Sequence, residues 1–122
     1  MGWTFMPQQP IYKQIVDHIL TDIVSGHYAC GERLPSVRDL SVTAAVNPNT
    51  MQRAMAELEN KGLIVTQRNS GKSVTENGEA IKMARDVKAM EVAKQFISSM
   101  EALGYSKSEA LEFLAAQDAK GE

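Results

Sequence analysis

A chain of 122 residues, 43% of them hydrophobic, is sized for one domain plus an appendage and is too apolar for a disordered tail. The net charge of −2 excludes a uniformly basic nucleic-acid binder, yet the charge is uneven: residues 1–77 hold seven Lys/Arg against seven Asp/Glu, and residues 78–122 hold six against eight. One cysteine excludes an intramolecular disulfide, and no apolar run approaches the roughly 20 residues that span a membrane.

The N-terminal MGWTFMPQQP has neither a basic segment nor an apolar core, so it does not read as a signal peptide, and Met6 stands where a myristoylation signal needs Ser or Thr. With the lone Cys30, this makes a reducing cytoplasm the expected compartment. The first helix is expected after Pro10, a first-turn residue. Ile11, Ile15, Ile19 and Ile23 recur every four residues beside Tyr12, Val16, Leu20 and Val24, and Gly26 supplies the stop. His18 is placed near the polar edge of that helix. The segment HYACGERLP reads as a turn-rich connector, with Cys30 a small buried or half-buried filler.

Ser36 followed by Asp39 is a weak capping box that opens a second helix with the apolar residues Val37, Leu40 and Ala44. Asn47 is a good N-cap and Pro48 a good first helical residue, so a third helix starts after almost no gap and runs to Asn60 or Lys61, where Gly62 ends it. Met51, Ala54, Met55 and Leu58 face inward; Asn49, Gln52, Arg53 and Ala56 face out. A merely solvated face favours Glu and Lys, whereas Asn, Thr and Gln in the first turn suit base edges and phosphates. Leu63 to Gln67 then reads as a strand, RNSGK as a turn and SVTEN as the return strand. Three helices followed by a hairpin make a winged helix-turn-helix.

Glu79 to Leu103 contains no breaker, and Met83, Val87, Met90, Phe96, Ile97, Met100 and Leu103 mark an apolar stripe along it. Gly104 ends that helix. Ser106 and Glu109 form a capping box for a last short helix carrying Ala110, Leu111, Phe113 and Leu114. So wide a stripe calls for a partner, and dimerisation is favoured over packing back on the first helix, because Met- and Ala-rich faces allow close approach and a DNA reader gains from two half-sites.

The ordered motifs Tyr12-Lys13-Gln14-Ile15, Gly31-Glu32-Arg33-Leu34-Pro35-Ser36-Val37-Arg38-Asp39-Leu40, Asn49-Thr50-Met51-Gln52-Arg53-Ala54 and Glu57-Leu58-Glu59-Asn60-Lys61-Gly62-Leu63-Ile64 together resemble the GntR family of bacterial transcription regulators over about residues 10–76. The short two-helix tail resembles its YtrA-like branch, whose members are small homodimers, often encoded near transporter operons they repress. The resemblance implies that Arg38 contacts phosphate or guanine, that Thr50 contacts the backbone, and that Arg68 and Asn69 stand at the wing's Arg-Gly position. Gln52 and Pro48 replace frequent arginines, Lys72 and Ser73 replace a usual Thr-Phe, and Cys30 replaces a common proline. These departures bear on the target sequence rather than on the fold.

The expected fold is mainly α with a small β-hairpin: a winged helix-turn-helix DNA-binding domain over residues 1–77 and a two-helix dimerisation segment over 78–122. The expected function is sequence-specific transcription regulation, as a repressor, by a homodimer on an inverted-repeat operator in double-stranded DNA. Ser36, Arg38, Asn49, Thr50, Gln52, Arg53, Arg68, Asn69 and Lys72 are the DNA-binding candidates, and the stripe is the dimerisation candidate. A small-molecule effector stays open, and no membrane partner is expected. The alternative is a winged-helix protein–protein module without DNA binding, which predicts an uncharged or acidic third-helix face. An enzyme is not expected: His18, His27 and Cys30 show no metal or nucleophile spacing, RNSGK lacks the spacing of a phosphate loop, and no catalytic residue or cofactor is assigned.

Overall fold

The computed structural model of the chain describes residues 2–69 and 71–120. Its elements run α1 Ile11–Val24, α2 Val37–Ala44, α3 Pro48–Asn60, β1 Ile64–Gln67, β2 Gly71–Val74, α4 Gly78–Ala102 and α5 Lys107–Lys120. Contacts divide the chain into two units, the first ending at Arg85 and the second starting at Asp86.

The head is built on three helices whose ends are fixed locally. Pro10 caps α1 from outside, one position earlier than expected, and Gly26 beyond its end takes a left-handed φ of 88°. The Ser36 hydroxyl accepts the Asp39 N–H at 3.0 Å to start α2, and the Asn47 side chain accepts the Asn49 N–H at 2.7 Å to start α3, with Pro48 at its first position. Ile15, Ile19 and Ile23 of α1 meet Leu40 and Ala44 of α2 and Met51, Ala54, Met55 and Leu58 of α3 in one buried cluster, closed from below by Leu63, Ile64 and Val74. Ile11, at the open end of the α1 stripe, is exposed instead.

The wing is an antiparallel hairpin in the register Ile64↔Val74, Val65↔Ser73, Thr66↔Lys72 and Gln67↔Gly71. Its return strand starts at Gly71 rather than Ser73 and stops at Val74. The connector before α2 adds a third rung. Arg33 bridges Ser73, the Leu34 N–H donates to the Lys72 carbonyl at 2.9 Å, and the Val74 N–H donates to the Glu32 carbonyl at 2.8 Å. The outer course of this connector corrects the expectation for Cys30, which is exposed, its thiol 3.3 Å from the Thr75 carbonyl oxygen. The N-terminal segment lies on the helices: Trp3 stacks face to face on His18 at 3.7 Å, and the Trp3 backbone N–H donates to the Ala44 carbonyl at 3.3 Å. His18 also pairs with Asp22 at 3.6 Å.

The head continues past the wing. Ile81 and Ala84 of α4 pack against the core, and the Arg85 guanidinium donates to the Val24 carbonyl at 3.4 Å. The first turns of α4 therefore group with the head, beyond the boundary drawn at residue 77.

In the second unit, Gly104 at φ 100° ends the long helix. Ser106 and Glu109 then form the full reciprocal capping box: the Ser106 N–H donates to the Glu109 carboxylate at 2.8 Å and the Glu109 N–H to the Ser106 hydroxyl at 3.1 Å. The helix they open, α5, has 14 residues and is not short. Met100 departs from the expected stripe. It is buried within the chain, and its backbone carbonyl accepts the Leu103 and Tyr105 N–H groups of the turn that follows. Phe96 and Ile97 are half-buried.

Candidate nucleic-acid interface

The helix-turn-helix is α2, a tight turn and α3. The turn is made by Ala45, which takes a left-handed φ of 60°, so that its own N–H reaches the Val42 carbonyl and the next N–H, from Val46, reaches Ser41 at 3.0 Å. This geometry delivers Asn47 directly into the cap of α3. With Met51, Ala54, Met55 and Leu58 fully buried, the opposite side of α3 necessarily faces outward, and Asn49, Gln52, Arg53 and Ala56 are all exposed there. Thr50 is half-buried at the edge of this face.

Arg38 is exposed in the first turn of α2, next to Asp39. Ser36 is exposed as well, but its hydroxyl oxygen already serves the helix cap. Arg68 and Asn69 are exposed at the wing turn, where Asn69 takes a left-handed φ of 69°. Exposed hydrogen-bonding and cationic groups thus sit on α2, α3 and the wing of one unit. The alternative of an uncharged or acidic α3 face does not match the exposed Arg53.

Lys72 is the exception. Its ammonium is 2.9 Å from the Thr66 hydroxyl and 3.4 Å from the Glu59 carboxylate, and that hydroxyl donates to the other Glu59 oxygen at 2.7 Å. The three groups staple the hairpin to the last turn of α3. The Thr66 hydrogen bond, with Lys72 beside it, holds the Glu59 carboxyl below the usual carboxylate range.

Two residues outside the expected set join this surface. The Arg33 guanidinium lies across the wing beside Gly71, 3.8 Å from where a side chain there would begin. Tyr12 of α1 lies under Arg53, the guanidinium carbon 3.7 Å from the ring centroid, and Pro10, Ile11, Tyr12, Asn49, Thr50 and Arg53 line a shallow open cleft. The available signal was Tyr12's place in an ordered motif.

The family model for bacterial regulatory proteins of the gntR family matches residues 11–74. The chain belongs to the GntR family. This GntR-family chain is 38% identical over 108 residues to the helix-turn-helix-type transcriptional regulator YhcF of Bacillus subtilis, a match covering 88% of the chain and 89% of that protein. It is 41% identical over 68 residues to the transcriptional repressor YtrA of the same organism, covering 56% of the chain and 52% of YtrA. A GntR-family transcriptional regulator from Listeria monocytogenes superposes with a TM-score of 0.84 at 42% identity, covering 92% of this chain and 98% of that one. The head is therefore the DNA-binding winged helix of a transcription regulator, in a family of regulators rather than enzymes, and the YtrA-like resemblance holds. Among the described residues no helix is long and apolar enough to cross a membrane, and no His, Cys, Asp and Glu cluster could hold a metal ion.

Proposed function

We propose that this GntR-family regulator is a repressor that binds an inverted-repeat operator as a homodimer. The observation that carries the reading is the exposed face of α3, with Asn49, Gln52 and Arg53 on one side of a short, rigidly capped helix. Such a helix fits the major groove, where Gln reads the N6/N7 edge of adenine. Arg38, Thr50, Arg68 and Asn69 contact the backbone around it, and Arg33 joins them from the wing's edge. Ser36 acts through the α2 cap, and Lys72 contributes only if it leaves Glu59. The role as repressor follows the name of YtrA.

The homodimer reading rests on the second half of the chain. Met83, Val87, Met90 and Leu103 are 65%, 54%, 58% and 74% exposed along α4 and its end. Side chains of this size exposed in series are a surface that soluble proteins cover. Two heads joined through residues 78–122 would address two half-sites about one helical turn apart, or a multiple of that.

Genomic footprinting of the bound protein tests both parts. The expected result is a shared inverted repeat upstream of genes whose transcription rises when the protein is removed. Single half-sites, or no enrichment over bulk DNA, would refute the dimeric operator reading. In a mobility-shift titration the log–log salt slope should lie near −4 to −5, from about 4–6 neutralised phosphates.

A further inference from the structure

We propose that Tyr12 is a positioning residue for DNA binding: its ring holds the Arg53 guanidinium flat, so that the edge of that group is presented to a backbone phosphate. The inference rests on the DNA-binding reading above and assigns α1 a part in it.

Four observations carry it. The Arg53 guanidinium carbon is 3.7 Å from the Tyr12 centroid, which is van der Waals contact with the ring face. Tyr12 is half-buried and packed against the core, so its ring is a fixed platform. Arg53 is exposed and, among the described residues, makes no hydrogen bond or ion pair. The Lys13 ammonium lies 5.5 Å from the same centroid, so two cations gather at this corner, above a cleft that Thr50 and Asn49 also line.

The chemistry follows from the shape of the group. A guanidinium stacks through its face, and all five of its N–H donors lie in its plane. Stacking on Tyr12 therefore consumes no donor. An arginine on an outward helix face otherwise samples many rotamers, and immobilising it on contact with DNA lowers affinity. With the side chain already laid on Tyr12, that ordering is done in the free protein. A phosphate entering the cleft would meet the Arg53 edge with the Thr50 hydroxyl nearby.

A purely architectural stack between α1 and α3 makes a different prediction, and the full-length chain separates the two. The probe is the 30-base-pair duplex that the wild-type chain enriches from a random-sequence pool. Arg53→Ala should weaken binding by about five-fold for each bound head and make the salt slope shallower. Tyr12→Leu keeps apolar bulk but has no ring face; it should lose nearly as much and shift the slope in the same direction. Tyr12→Phe keeps the face and should bind as the wild type does. The Tyr12→Leu/Arg53→Ala double variant should be no weaker than Arg53→Ala alone.

Arg53→Lys retains charge without the planar fork, does not perturb α1, and should also lose affinity. An upfield ring-current shift of the Arg53 side-chain resonances should be present in wild type and Tyr12→Phe, and absent in Tyr12→Leu. Wild-type affinity in Tyr12→Leu, additive losses in the double variant, or full binding by Arg53→Lys would each overturn the positioning role while leaving DNA binding intact. A wild-type chain that enriches no duplex removes this inference together with the reading beneath it.

Discussion

The two units treat their apolar side chains in opposite ways. Among the described residues of the head, nine large side chains, from Ile15 to Val74, are fully buried, and the exposed flank of α3 is polar and cationic. Among the described residues of the second unit only Met100 and Ala110 are buried, while Met90, Val92, Leu103, Leu111, Phe113 and Leu114 are exposed. The head is complete as one chain. The second unit has the secondary structure, caps included, without the burial that normally stabilises helices of this length. The head's sequence specifies contacts within the chain, and the stripe's sequence specifies a surface for something else.

Core and stripe residues should respond very differently to truncation. Met55→Ala opens a cavity in a fully buried site and should cost the head about 2–5 kcal/mol. Met90→Ala, at a side chain 58% exposed, should leave head stability within about 0.5 kcal/mol. Denaturant titration with a probe in the head decides it, and equal losses would mean that Met90 is buried by the same core.

Next in size is Met90→Asp. If the stripe is covered by a second copy, an unpaired carboxylate there should weaken association by about 2–4 kcal/mol while the head stays folded. Sedimentation should then give a dimer for the wild type and a monomer for the variant. A wild-type monomer at micromolar concentration would sink the dimer assignment and the palindrome with it.

Arg38→Ala comes third, at about 1–3 kcal/mol of DNA affinity per half-site with no change in melting temperature, because Arg38 is exposed. Undiminished affinity would remove α2 from the interface.

The head's helices were legible because their signals are local. Ser36, Asn47, Pro48 and Gly62 act within a turn of themselves, and the three- and four-residue spacing in α3 needs no knowledge of its neighbours. The reciprocal box of Ser106 and Glu109 is legible for the same reason. What escaped were pairings between distant segments. The connector's bridge from Arg33 to Ser73 is hidden by Gly31 and Pro35, which read as turn residues. Arg53 on Tyr12 and Trp3 on His18 join segments far apart in sequence, and no spacing rule reports them. Lys72 read as free because Glu59, its partner, lies on another element.

The pairing of Glu59 with Thr66 and Lys72 should contribute little to stability. Glu59 is held below the usual carboxylate range, first by the Thr66 hydroxyl and then by Lys72. Its folded value lies under its unfolded one, so its contribution is fully present above the unfolded value and is lost as pH falls through the folded value. The Glu59 side chain is 40% exposed, so solvent screening limits the contribution to a few tenths of a kcal/mol, on the order of an exposed pair. Glu59→Gln should therefore lower stability slightly at neutral pH, and the gap between the two proteins should close in strong acid. A gap that widens in acid would contradict the depressed carboxyl. The same variant releases the Lys72 ammonium. If Lys72 can then reach a phosphate, the salt slope should steepen by about 0.9 for each head bound. An unchanged slope would mean that the staple is a structural tie of the wing to α3, and that the wing meets DNA through Arg33, Arg68 and Asn69 alone.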